Sequence, residues 1–142
     1  MEAVLLYYVH NTITQPRKEV PMKGQYDNSQ PIFRQIIEQF LQSIATGELL
    51  PGGKVAPVRE LALEYSVNPN TMQKSLAKLE EMGYLYTERT TGRYVTNDLQ
   101  LIASLKTLLP TQITKKYIGD MQECGIEQNA IPDFINDYLK GR

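Results

Sequence analysis

Five polar side chains crowd one short stretch of the chain, Asn68, Asn70, Thr71, Gln73 and Lys74, where a helical pattern begins. The amides of Asn and Gln present a donor and an acceptor side by side, which suits bidentate bonding to adenine N6 and N7. Threonine packs its methyl on thymine, and lysine reaches guanine or a phosphate. Upstream, Arg59 carries a planar fork that fits either guanine O6/N7 or a phosphate. Lys54, Arg89 and Arg93 add cations suited to phosphates or a minor groove, and Gly92 permits a tight turn among them. This is recognition chemistry rather than bond-breaking chemistry. One cysteine (Cys124) and one histidine (His10), at opposite ends of the chain, argue against a zinc site or a Cys/His nucleophile pair. No catalytic residue, metal or cofactor is expected.

The same residues admit plainer roles. Asn68 or Asn70 can simply cap a helix. Arg59 has Glu60 and Glu64 within reach as ion-pair partners, and Pro69 sets a turn. Lys78 reads as a solvated charge, and Tyr84, Tyr86 and Tyr94 as packing. His10 and Cys124 read as structural, Cys124 as a small buried residue.

Composition bounds the class. The chain has 142 residues, 42% hydrophobic and 22% charged, with a net charge of −1. That is the profile of a globular protein, either one domain of ordinary size or one small domain plus an appendage. The longest apolar run, Ala3 to Val9, is too short to span a bilayer and lacks the preceding basic residues of a secretory signal. One cysteine excludes an internal disulfide framework and fits a reducing, cytoplasmic setting. Residues 22–97 carry eight basic and eight acidic groups. Any affinity for a polyanion must therefore come from where the charges sit.

The elements that position these residues follow from periodicity. Residues 1–21 hold a β-prone run, Val4 to Val9, then a polar segment with Pro16 and Pro21; they are either an added arm or precede a start at Met22. Ile32, Phe33, Ile36, Ile37, Phe40, Leu41 and Ile44 recur at steps of three and four, giving one apolar helical face. Ser29 is its expected cap, Pro31 falls in its first turn, and Gly47 ends it. A short second helix is expected from about Pro57 to Tyr65, with Leu61, Ala62 and Tyr65 inward. A third is expected from about Asn70 to Met82, with Met72, Leu76, Leu79 and Met82 inward and Gly83 as a left-handed stop. Tyr84–Thr87 and Arg93–Thr96 read as a hairpin turning at Thr91-Gly92. Helix, helix, turn, helix and hairpin in that order make a winged helix-turn-helix. The fold class expected is mainly α with a small β-hairpin.

Beyond Asn97 the pattern changes. Leu99, Leu101, Ile102, Leu105, Leu108 and Leu109 form a helix expected to stop at Pro110. Thr111 caps a second, carrying Ile113, Tyr117, Ile118 and Met121, and Ile131, Phe134, Ile135, Tyr138 and Leu139 mark a third. A tail this small cannot bury so many apolar residues by itself. It packs on the first domain or on a second copy.

A resemblance joins these observations. Pro31-Ile32-Phe33-Arg34-Gln35-Ile36, Gly47-Glu48-Leu49-Leu50-Pro51-Gly52, Val58-Arg59-Glu60-Leu61-Ala62 and Val67-Asn68-Pro69-Asn70-Thr71 occur in order, followed by Leu79-Glu80, Gly83 and Gly92-Arg93-Tyr94-Val95. Over about 65 residues this resembles the GntR family of bacterial transcription factors. The tail, with Met121-Gln122-Glu123-Cys124-Gly125-Ile126, resembles the YtrA subfamily, whose members carry a short helical dimerisation module. The resemblance implies a homodimeric repressor on a pseudo-palindromic double-stranded DNA operator, with Arg59 as a DNA contact. Residues 22–97 would bind DNA. Residues 98–142 would dimerise through Leu105, Leu108, Ile113, Tyr117, Ile118, Met121, Phe134, Ile135 and Tyr138. A small-molecule effector, if one acts, would need a groove of the dimer.

The chain departs from the family pattern in three places. Ala56-Pro57 replaces the Pro-Ser that caps the second helix. Thr90-Thr91 replaces the glycine and basic residue that open the wing. Pro69 and Gln73 stand where relatives place arginines. These changes imply modest affinity and an operator richer in A·T. The competing reading is a winged-helix module that binds protein and not DNA, which the neutral charge balance favours.

Overall fold

The computed structural model describes residues 23–141, so the expectations for residues 1–21, Met22 and His10 lie outside the described residues. Helix α1 spans Ile32–Thr46. It starts two residues later than expected, with Pro31 rather than Ser29 as its N-cap and no side-chain cap. Ser29 belongs instead to the turn before the helix, where its N–H donates to the Asp27 carboxylate at 2.8 Å. The Gln35 amide reaches back to the Asp27 backbone, accepting from its N–H and donating to its carbonyl, each at 2.7 Å. That N–H of Ser29 also holds the Asp27 carboxyl below its usual pKa. Gly47 closes α1 in the left-handed conformation, φ 82°.

The face read from the periodicity is the core. Ile36, Phe40 and Ile44 are fully buried and Ile37 and Leu41 nearly so, whereas Ile32, at the helix start, is exposed. Each buried side chain contributes about 1.5–3 kcal/mol. Helix α2 (Val58–Glu64) buries Leu61 and Ala62, and has no side-chain cap at Pro57, as the missing serine implied. Helix α3 (Pro69–Glu81) buries Met72, Ser75, Leu76 and Leu79 against α1 and α2. Met82, expected inward, is 40% exposed because α3 ends at Glu81 and the chain leaves through Gly83.

The turn between α2 and α3 is held from several sides. Tyr65 stacks on Phe40 with ring centroids 5.4 Å apart. Its carbonyl accepts from the Tyr26 hydroxyl at 2.7 Å. Burial and the neighbouring Glu64 and Glu48 push the Tyr65 phenol's pKa upward. Ser66 takes φ 53°, a left-handed conformation unusual for a residue with a Cβ. The Val67 N–H then donates to the Ala62 carbonyl at 2.9 Å and redirects the chain into α3.

Strands β1 (Leu85–Glu88) and β2 (Gly92–Val95) pair antiparallel, with Leu85 opposite Val95 and Tyr86 opposite Tyr94. The hairpin lies one residue further along on its first strand than expected, and its turn is Arg89–Thr91. Tyr84 is buried, and Tyr86 stacks on Tyr94, so all three tyrosines pack as expected. A segment absent from the sequence reading runs along the other edge of β2. The Val55 N–H donates to the Arg93 carbonyl and the Val95 N–H to the Gly53 carbonyl, both at 2.9 Å.

The tail departs from expectation. Instead of two helices broken at Pro110, one 25-residue helix, α4, runs Leu99–Glu123, with Pro110 inside it. Asp98 caps it, accepting from the Gln100 and Leu101 N–H groups. Thr111, expected as a cap, sits mid-helix with its hydroxyl donating to the Thr107 carbonyl at 2.7 Å. Leu105 also needs correction. It is fully buried in the winged-helix core beside α1, so it has no surface to offer a partner. Cys124 caps the C-terminal end of α4 and is exposed rather than buried. A 3-10 turn (Gln128–Ala130) leads to α5 (Ile131–Leu139), which buries only Ile131.

Candidate nucleic-acid interface

Asn68 is the cap of α3. Its side-chain oxygen accepts from the Asn70 N–H at 2.8 Å, and Pro69 occupies the first turn, where a missing N–H costs nothing. Capping therefore consumes the acceptor of Asn68 and leaves Asn70 free of that duty. Asn70, Gln73 and Lys74 are exposed, and Thr71 is half-buried. Spaced at i, i+3 and i+4, Asn70, Gln73 and Lys74 share the face opposite Met72, Leu76 and Leu79. The Lys74 ammonium lies 4.1 Å from the Phe33 ring centroid, a cation–π contact that fixes the stem while leaving the charge at the surface.

Arg59 stands exposed in the first turn of α2. Among the described residues it makes no ion pair. Glu64, a partner within reach in sequence, is bound to Lys23 instead. The wing approaches α3 from the other side. A cleft of about 340 Å³ is lined by Lys54, Pro57, Gln73, Thr87, Gly92 and Arg93 among others, so the α3 surface and the wing share one opening. Gly92 has φ 125°, and a Cβ there would lie 3.2 Å from the Lys54 side chain. Glycine thus lets the Lys54 stem cross the wing. Arg89 is exposed at the wing tip.

Arg93 differs from the other cations. Its side chain is 17% exposed and its guanidinium lies 3.6 Å from the Glu80 carboxylate, tying β2 to the C-terminal half of α3. Its Nε is buried without a partner among the described residues. Glu80 was missed as a participant in the sequence reading. Thirteen positions separate it from Arg93, and no local pattern links them. Lys78 pairs with Glu81 on the exposed side of α3. Among the described residues no group of His, Cys, Asp and Glu could hold a metal. No helix of the described residues is long and apolar enough to cross a membrane.

A helix-turn-helix whose last helix exposes amides and a lysine, flanked by a hairpin wing, defines a winged-helix DNA-binding protein. Known proteins agree. Residues 33–95 match the family described as bacterial regulatory proteins, gntR family. The chain is similar to YhcF of Bacillus subtilis, an uncharacterised HTH-type transcriptional regulator, with 31% identity over 120 residues, 84% of this chain and 99% of that protein. It is also similar to the HTH-type transcriptional repressor YtrA of the same organism, 33% identical over 112 residues, 78% and 85% of the two chains. A solved GntR family transcriptional regulator from Listeria monocytogenes superposes with a TM-score of 0.70 at 38% identity, covering 79% of this chain and 98% of that one. YtrA from Sulfolobus acidocaldarius gives a TM-score of 0.51 at 28% identity, covering 68% and 96%. The chain belongs to the gntR family, and it is a DNA-binding transcriptional regulator with a helical C-terminal region.

Proposed function

We propose that the protein is a homodimeric repressor that acts in the cytoplasm on a pseudo-palindromic operator, one α3 per half-site. The observation that carries this reading is the row Asn70, Gln73 and Lys74 on the exposed face of α3, with Arg59, which makes no ion pair among the described residues, on the neighbouring helix. Helix α3 enters the major groove with its N-terminal turns against base edges. Asn70 and Gln73 read bases, Thr71 offers its methyl, and Asn68 positions the helix by capping it. Arg59, Lys54, Lys74 and Arg89 hold phosphates or groove edges, and the wing lies along the backbone past Gly92. Repression requires only occupancy of a promoter, and the similarity to a repressor supports that sign of control. Residues 22–97, with the start of α4 packed on them through Ile102 and Leu105, form the DNA-binding unit, and the rest of 98–142 forms the dimerisation tail. An effector, if one acts, seats in a groove of the dimer.

Footprinting on the protein's own promoter tests this reading. Arg59→Ala should abolish the footprint and leave the dimer intact in sedimentation. An unchanged footprint would remove Arg59 from the interface. Failure of the unaltered protein to shift any genomic fragment at low salt would favour a protein-binding module instead.

A further inference from the structure

The elbow between α2 and α3 holds an open hollow of about 450 Å³, lined by Arg59, Ala62, Leu63, Val67 and Pro69. Leu63 is 82% exposed, more than any other large hydrophobic among the described residues. It adds nothing to the core, because α2 turns Leu61 and Ala62 inward instead. Arg59 and Leu63 are four residues apart and so share one face of α2. Glu60 and Glu64 fall about 100° further round the helix, and Glu64 is bound to Lys23. Of the described residues that line the hollow, only Arg59 is charged.

The hollow is continuous with the nucleic-acid interface: Arg59 stands at one side of it and Pro69 at the other, with Asn70 next in the chain. The start of a helix ordinarily attracts an anion, because its first N–H groups lack partners. Here Pro69 has no N–H, and that of Asn70 already donates to the Asn68 side chain at 2.8 Å. An apolar lining beside such a helix start does not suit a phosphate oxygen. On the base edges of a major groove, the apolar group is the C5-methyl of thymine. Resting on the placement of α3 in the major groove above, we propose that this hollow seats the methyl of one thymine in each half-site, against Leu63 and Pro69. These two are specificity-determining residues, and they read a base that the amides of Asn70 and Gln73 do not.

The promoter duplex protected in footprinting is the probe, and the full-length protein is titrated against it by fluorescence anisotropy. Each thymine of one half-site is replaced in turn by deoxyuridine, which lacks the methyl and keeps the pairing. At one position the replacement should weaken binding about fourfold, the transfer value of one buried methyl. The variant Leu63→Ser with Pro69→Ser should bind the thymine and deoxyuridine duplexes equally, with Tm and circular dichroism unchanged because both positions are exposed. Leu63→Ser alone leaves the start of α3 untouched and should remove most of the difference, so the test does not depend on the double variant folding. No thymine position sensitive to the methyl, or a sensitivity that survives both variants, would overturn the inference while leaving DNA binding intact. A sensitivity abolished only by Thr71→Ser would also overturn it and assign the methyl to Thr71. An unaltered protein that protects no promoter duplex would overturn the reading on which the inference rests.

Discussion

Arg93 and Asn68 look alike to a sequence reader, as polar residues near a reading helix, yet the structure employs both inside the fold. Arg93 is mostly buried against Glu80, so its charge is already matched. Replacing it with Ala should weaken operator binding by loosening the wing, without changing the salt dependence. Lys54→Ala, by contrast, should reduce the slope of log affinity against log salt by about 0.9, the signature of one lost phosphate contact. Titrations at several salt concentrations separate the two, and a drop of the same size for Arg93→Ala would mean that Arg93 leaves Glu80 for DNA. Asn68 and Asn70 divide in a similar way. Asn68→Ala removes the α3 cap and should cost about 0.5–2 kcal/mol of stability, seen as a lower Tm. Asn70→Ala should leave Tm alone and cost about 1–3 kcal/mol of operator discrimination.

At the scale of elements, α1, α2, α3 and the hairpin were legible because their cues are local. Periodicity gave the buried faces, Gly47 gave a stop, and Asn68 gave a cap. Pro110 shows the limit of local rules. A proline in a helix interior forfeits one hydrogen bond and crowds the preceding turn, at about 3 kcal/mol relative to alanine. Helix α4 nevertheless continues through it. Packing of Leu105 and Leu109 on the winged-helix core anchors the turns before it, and the Thr111 hydroxyl bonds the Thr107 carbonyl beside the proline. The packing is not visible in a local window, and for the same reason Leu105 reads as a tail residue while it sits in the core. Cys124 misleads in the opposite direction, since small apolar character says nothing of its place at a helix end. Pro110→Ala returns a donor to the Lys106 carbonyl and should raise Tm, measurable by thermal melting. An unchanged midpoint would mean that the surrounding packing already offsets the missing hydrogen bond.

For the whole molecule, the even balance of charge over residues 22–97 makes geometry decisive. In the proposed homodimer two reading helices meet two half-sites together, and these should lie about 34 Å apart or a multiple of it. Inserting about five base pairs between the half-sites rotates one of them to the opposite face of the duplex. Gel shifts should then show loss of dimer binding while each half-site remains intact.

The burial of Ile102 and Leu105 makes α4 a rigid extension of the winged-helix core. With 25 residues it is about 37 Å long, so it works as a lever arm. A rotation of about 5° at its root displaces its far end by roughly 3 Å over that length. The same arithmetic holds for a rotation about the far end, so in the proposed dimer a turn of a few degrees where the outer half of α4 is held swings the winged-helix end by several ångströms and becomes a mismatch with the operator.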